Sequence, residues 1–225
     1  LPSSRSCNSI DRSNKLSAMA RVTAEKAQLT KDSLLAAAMR VLCEEGSAGL
    51  SVRRVAAVAE TPMSQIQYHF GSKEGLMLAV FERTNERLLH RQIEMFGDTE
   101  KSLSERWDLA CDYLDDDLAS GYVSILQELL AASWSNPEIG RVVREGLTGW
   151  HQLLTEVATE ARDAGFDLGP FGPEDIGALV ASSFLGAEAM LLVGLESPQL
   201  PLRRALRRVG DALRALEISV EKELE

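Results

Sequence analysis

The stretch "TPMSQIQYHFGSKEGL", Thr61 to Leu76, decides how the N-terminal part of the chain is read. Thr61-Pro62 is a helix start signal, because proline is accommodated in a first turn and a threonine hydroxyl can accept a backbone N–H. Between about Met63 and Phe70 the strong apolar anchors are Ile66 and Phe70, four apart on one side, so Ser64, Gln65, Gln67, Tyr68 and His69 spread over the exposed sides. A helix with so little apolar surface has a reason other than packing to exist. Its side chains suit a nucleic acid: amides pair with adenine edges, hydroxyls with bases or phosphates, and Tyr68 and His69 reach a backbone. Lys73, just beyond the Gly-Ser turn, neutralises a phosphate.

Two helices are predicted upstream. In "TKDSLLAAAMRVLCEEG", Leu34, Leu35, Ala38, Val41 and Leu42 share a face, Thr30 caps and Gly46 stops the helix. In "SVRRVAAVAE", Ser51 caps and Val52, Val55, Ala56 and Ala59 form an inward stripe. Three short helices, the last two joined by a tight turn, match a helix-turn-helix whose third helix enters a major groove. Arg53, near the start of the second helix, is placed to fork onto a guanine, worth about 1–3 kcal/mol of discrimination.

Downstream, Ser72 opens a long amphipathic helix with Leu76, Ala79, Val80, Arg83, Arg87 and Leu88 at helical spacing. Turns near 97–102 and 119–122 separate two further helices, "PEIG" opens a long one ending at Gly165, and "GFDLGPFGP" is a loop. The last two helices, about Glu174 to Leu195 and Leu202 to Glu221, flank "ESPQLP". The fold class expected is all-α, with β-branched runs missing and only 5% aromatic residues. Residues 1–28 are polar and lack an apolar period, so they read as a flexible N-terminal extension; Met19 suits a translation start. Residues 29–75 form the DNA-binding module and 76–225 a second helical domain.

The formal net charge of -10 conceals a split. Residues 1–75 hold ten Lys/Arg against seven Asp/Glu, and the remainder fourteen against twenty-seven. A basic contact surface on an acidic body is the pattern of a regulator that meets nucleic acid at one end. The three cysteines are scattered and no histidine stands near them at metal-ligand spacing, so no metal, cofactor or disulfide framework is expected. No Ser/His/Asp-like grouping, HExxH or glycine-rich phosphate loop is present, and His69, His90 and His151 fall on different elements, which argues against an enzyme. No apolar run is read as reaching about 18 residues, and the first residues lack a signal-peptide core. A cytoplasmic protein without a membrane partner is expected.

The run "LLAAAMRVLCEEGSAGLSVRRVAAVAETPMSQIQYHFGSKEGLMLAVFERTNERL" resembles the N-terminal domain of the TetR family of bacterial transcriptional repressors. The helix ending in "EEG", the Ser-x-Arg start of the second helix, the "QYHFGSKEGL" segment and the long helix after it occur in the family's order. The resemblance places Ser51 and Arg53 at the DNA-facing start of helix two, Ser64, Gln65, Tyr68 and His69 on the recognition helix, and Lys73 at a phosphate. Gln67 stands where the family commonly has tyrosine, and Pro62 replaces the usual serine cap, shifting that role to Thr61.

The resemblance also implies a homodimer on a palindromic double-stranded operator, since one module covers only a few base pairs. Candidate dimer residues are Gly177, Ala181, Phe184, Leu185 and Leu192 on the penultimate helix, and Leu206, Val209 and Leu213 on the last. A small apolar or amphipathic effector is expected in the C-terminal domain, near Trp107, Tyr113, Trp134, Trp150 and Met190. Asp112, Asp115, Asp116, Asp117 and Glu128 could favour a cationic ligand, but an acidic run usually forms a solvated face, and His151 is either a polar anchor for the ligand or an ordinary core or surface histidine. Ligand binding would pivot the helix that begins near Ser72. The sign of regulation depends on where the operator lies, so activation and repression both remain open at this point.

Overall fold

A computed structural model describes residues 7–224, with side chains over 21–46 and 48–220 and at Lys222. The described residues form nine α-helices and no strand; an isolated bridge joins Ser197 and Leu200. The helices are α1 Cys7–Gly49, α2 Val52–Val58, α3 Met63–Phe70, α4 Lys73–Phe96, α5 Leu103–Ala119, α6 Tyr122–Ser133, α7 Pro137–Asp163, α8 Pro173–Leu192 and α9 Leu202–Leu224. The chain divides into two units, Leu1–Leu76 and Met77–Glu225.

The N-terminal expectation needs correcting. Residues 7–28 belong to α1 rather than to a flexible extension, and residues 1–6 lie outside the described residues. Ala, Lys, Glu and Gln favour helix without any packing, and between Arg21 and Leu29 only Ala27 is even half-buried. An apolar period is evidence for a buried helix, so its absence did not exclude a solvated one. The regular part of α1 breaks at Gly46, whose φ of 68° and ψ of -177° lie outside helical space.

The first unit's core is made where α1, α2 and α3 meet. Leu34, Leu35, Ala38, Val41 and Leu42 from α1 are buried with Leu50, with Val55 and Ala56 of α2 and with Ile66 of α3. Phe70 is only half-buried, so α3 is anchored chiefly by Ile66. In α4 the buried line runs through Met77, Val80, Phe81, Thr84 and Leu88; Arg83 and Arg87 are exposed.

The second unit packs α5, α7, α8 and α9 around Phe96, Trp107, Leu114, Leu154, Phe184 and Leu206. Local signals set the helix starts. Ser102 and Glu105 form a reciprocal capping box at α5, and Asn136 accepts the N–H groups of Glu138 and Ile139 at α7. α7 ends in a Schellman motif: Phe166 N–H donates to Ala161 O, Gly165 N–H to Arg162 O, and Gly165 takes φ 98°.

The acidic run of α5 is engaged rather than merely solvated. Asp108 pairs with Arg214 at 2.9 Å, Asp112 with Arg207 at 2.5 Å and Asp115 with Arg203 at 2.7 Å, making a ladder between α5 and α9. Arg203 and Arg207, one turn apart on α9, meet Asp115 and Asp112, about one turn apart on α5, and Arg214, two turns further on, reaches Asp108. The membrane expectation also changes. α8, with a stretch of mean hydropathy 1.5, is long and apolar enough to span a bilayer, because Glu188 is the one charge in its last seventeen residues. Here it packs on α7 and α6.

Candidate nucleic-acid interface and cavity

In the first unit α2 begins at Ser51, whose Oγ accepts the Arg54 N–H at 3.2 Å. The neighbouring arginines then separate. Arg54 is held by Glu45 at 2.6 Å, while Arg53 is exposed and makes no ion pair among the described residues, which leaves its guanidinium available to a phosphate or a base.

The turn from α2 to α3 is a Schellman motif built on a non-glycine residue. Thr61 N–H donates to Ala56 O at 3.0 Å and Glu60 N–H to Ala57 O at 3.2 Å, with Glu60 at φ 51°. Thr61 does not cap α3. Pro62 occupies the cap position without a side-chain hydrogen bond, and Thr61 Oγ1 is buried without a partner, because the Schellman turn directs Thr61 back onto α2. A DNA contact from the Thr61 hydroxyl is accordingly dropped.

On α3, Ser64, Gln67 and Tyr68 are exposed, and their spacing of three and four residues puts them on one face; Tyr68 is 77% exposed. Gln65 and His69 flank that face and are half-buried, with the Tyr68 and His69 rings edge-on at 4.9 Å. Gly71 turns the chain at φ 73°, and Ser72 Oγ accepts the Gly75 N–H at 3.0 Å to start α4. Lys73 is half-buried beside Glu74, whose carboxyl is held below its usual range by its own backbone N–H and by the Ser72 hydroxyl. The geometry thus brings Arg53, Ser64, Gln67, Tyr68 and Lys73 within one helix-turn-helix unit, and among the described residues their polar ends have no hydrogen-bond or ion-pair partner.

The second unit holds a cavity of about 260 Å³ bounded by residues of α4 to α8. Of the expected lining, Tyr113 and Trp150 are there. Trp107 is not: it is buried in the core, where its Nε1–H donates to Leu206 O at 2.7 Å. Trp134, at the end of α6, is 90% exposed, and Met190 faces outward from α8 at 40%. Helical phase, not residue size, decided these positions.

Of the cavity's polar groups, the sequence pointed to Asp117 and His151 but not to Asn85, Gln92, Tyr122, Ser182 or Glu188. Tyr122 donates its O–H to Asn85 Oδ1 at 2.8 Å and stacks on Phe81. Both Asp117 oxygens accept from Arg91 Nη2, at 2.8 and 2.9 Å, and the guanidinium lies 3.9 Å from the centre of the Tyr113 ring. Burial raises the Asp117 carboxyl despite that pairing, and it raises Glu188 further, to about 8, with the Asp117 charge as the second cause. A lone carboxylate within an apolar helical run was the signal that could have found Glu188.

The expected dimer residues also divide by helical phase. Phe184 and Leu206 are buried in the protomer core, and a Cβ at Gly177 would fall 2.5 Å from Thr155 Oγ1 on α7. Ala181 and Leu185 line the cavity, and Leu213 packs on the core. Only Leu192 and Val209 of that set are exposed. Leu179, Met190 and Val193 join them on α8 and its end, and Leu216 on α9, with Gly186 opening onto empty space.

Residues 34–80 match the model of bacterial regulatory proteins of the tetR family. The chain carries a TetR-family domain. Matched over 95 residues, 41% of this chain, the transcriptional repressor NicS of Pseudomonas putida is 30% identical and is covered over 45% of its length. The transcriptional regulator CymR of Pseudomonas putida is 31% identical over 131 residues, 56% of this chain and 60% of CymR. The match thus spans about half the length of these relatives. FadR of Bacillus subtilis, solved with stearoyl-CoA, superimposes with a TM-score of 0.62 at 16% identity, over 80% of this chain and 97% of that one. The TetR-family domain contains the Arg53, Ser64, Gln67 and Tyr68 surface in full.

Proposed function

We propose that the chain is a ligand-responsive transcriptional repressor that binds a palindromic operator as a homodimer and is released by a small apolar or amphipathic effector in the second unit. The observation that carries this reading is the Ser64, Gln67 and Tyr68 face with the unpaired Arg53 beside it, inside the matched domain. Residues 29–75 act as the DNA-binding domain and 76–225 as the sensing and dimerising domain, working in the cytoplasm. Dimerisation is supported by Leu179, Met190 and Val193 of α8 and Val209 and Leu216 of α9, which stay exposed in the protomer. Covering such a patch with a second copy removes apolar surface from water and sets two recognition helices to two half-sites.

α4 links the two activities. It starts at Lys73, directly after the recognition helix, and contributes Asn85 and Leu89 to the cavity wall. A ligand that shifts α4 changes the half-site match of the two α3 helices, and a coupling of about 1–3 kcal/mol lowers operator affinity about 5–150-fold.

The test is binding of the full chain to its upstream intergenic DNA and to a scrambled duplex at about 150 mM salt. Specific binding by two protomers is expected. Arg53→Ala removes the discrimination, whereas Lys73→Ala weakens all sequences alike and lowers the salt slope by about one. Equal, salt-labile binding to both duplexes overturns the regulator reading for that site.

A further inference from the structure

We propose that the cavity of the second unit selects an organic cation, a small ammonium with apolar substituents seated among aromatic rings with the Glu188 carboxylate as its counter-ion. This rests on the reading of the cavity as a ligand site.

The lining carries two carboxylates, Asp117 and Glu188, and neither lysine nor arginine. Asp117 is accounted for by Arg91, which holds both of its oxygens. Glu188 has neither a hydrogen bond nor an ion pair among the described residues, although it is half-buried in the last turns of α8, between Ala187 and Ala189. An isolated carboxylate taken from water is costly unless a charge meets it. A neutral apolar ligand would leave that cost in place, and an anion would add repulsion from both acids.

The walls agree with the charge. Tyr113, Tyr122, Trp150 and Phe184 line the same space, and π faces attract ammonium groups that have shed their water. One ring already acts this way, since Arg91 lies over Tyr113. Burial pushes Glu188 up to about 8, and an entering cation would restore its charged form. The volume of about 260 Å³ lies just under the range of about 300–1,000 Å³ typical of drug-sized ligands, so a compact ligand is indicated.

The experiment is calorimetric titration of the full chain at pH 8 with phenyltrimethylammonium and with tert-butylbenzene, its uncharged isostere. The cation should bind about ten-fold or more tightly than the isostere. Glu188→Gln should abolish that preference while keeping affinity for tert-butylbenzene, which reports an intact cavity. Equal or tighter binding of the isostere to the parent protein overturns the cation inference and leaves the cavity as a ligand site. A preference that survives Glu188→Gln overturns the role of Glu188. Failure of both probes to bind overturns the cavity reading itself, and the inference with it.

Discussion

α3 and α8 both leave much of their surface in water, but the chemistry they leave there is opposite. α3 is held by Ile66 and exposes Ser64, Gln67 and Tyr68, whereas α8 buries Phe184 and Ala187 and exposes Leu179, Met190 and Leu192. A polar face rests in water without penalty and takes a partner through hydrogen bonds and charge. An apolar face gains only when it is covered, by roughly 25 cal/mol per Å². Where an exposed face does meet a partner, atom type says which kind.

The sharpest break of this comparison is Ile66→Ala. Removing the one fully buried anchor of α3 should cost about 2–5 kcal/mol in the stability of the first unit, read by denaturant unfolding. Tyr68→Ala on the same helix should change stability by no more than about 0.5 kcal/mol while weakening operator binding. Similar stability losses from both would mean that the exposed face of α3 is not free for a ligand.

The cavity gives the next largest effect, and its sign follows from the raised Glu188. Folding binds a proton at this carboxyl over the window between its ordinary value, about 4.3, and about 8, so its contribution is fully present below that window and falls as pH rises through it. Glu188→Gln removes the slope, worth at most about 1.4 kcal/mol per pH unit. Its Tm should match the parent at pH 4 and exceed it increasingly up to pH 8. Asp117 with Arg91, Tyr122 and His151 also face the cavity and are common to both proteins, so they enter the difference only through their coupling to the Glu188 charge. A constant Tm difference across that range would show that Glu188 is well solvated.

Met190→Glu probes the apolar face of α8. Placing a charge there should weaken self-association about ten-fold or more in sedimentation while leaving the protomer's unfolding nearly unchanged, because Met190 is 40% exposed. Unchanged association would move the interface elsewhere. The smallest effect expected is a gain: Glu60 holds a left-handed φ of 51° in the turn before α3, so Glu60→Gly should stabilise the first unit by about 0.5–1 kcal/mol in thermal unfolding.

Much of this architecture is legible in one dimension because it depends on neighbours a few residues away. The apolar period of Leu34 to Leu42, the Ser102 and Glu105 capping box, the Asn136 cap and the Gly165 stop each act within a helical turn or so. The exposed face of α3 was equally readable, since a helix of eight residues with Ile66 as its buried anchor has little choice of which face to bury. Thr61 escaped that reading because a Schellman turn, not a side-chain cap, joins α2 to α3.

The second unit was read less well, for a physical reason. Trp107, Trp134, Trp150 and Met190 are all large and apolar, and their type is equally suited to core, cavity wall or interface. Only the rotation of each packed helix separated them: Trp107 went to the core, Trp150 to the cavity and Trp134 to solvent. The same holds for Gly177, pressed on Thr155, and Gly186, facing open space. The sequence by itself thus determined an all-α chain with a helix-turn-helix near its start and the polar, exposed face of its third helix, because helical period, caps and turns are local. Tertiary structure alone decided which arginine stays unpaired, which carboxylate stands without a partner in the cavity and which apolar stripe remains uncovered, because those outcomes depend on contacts between residues distant along the chain.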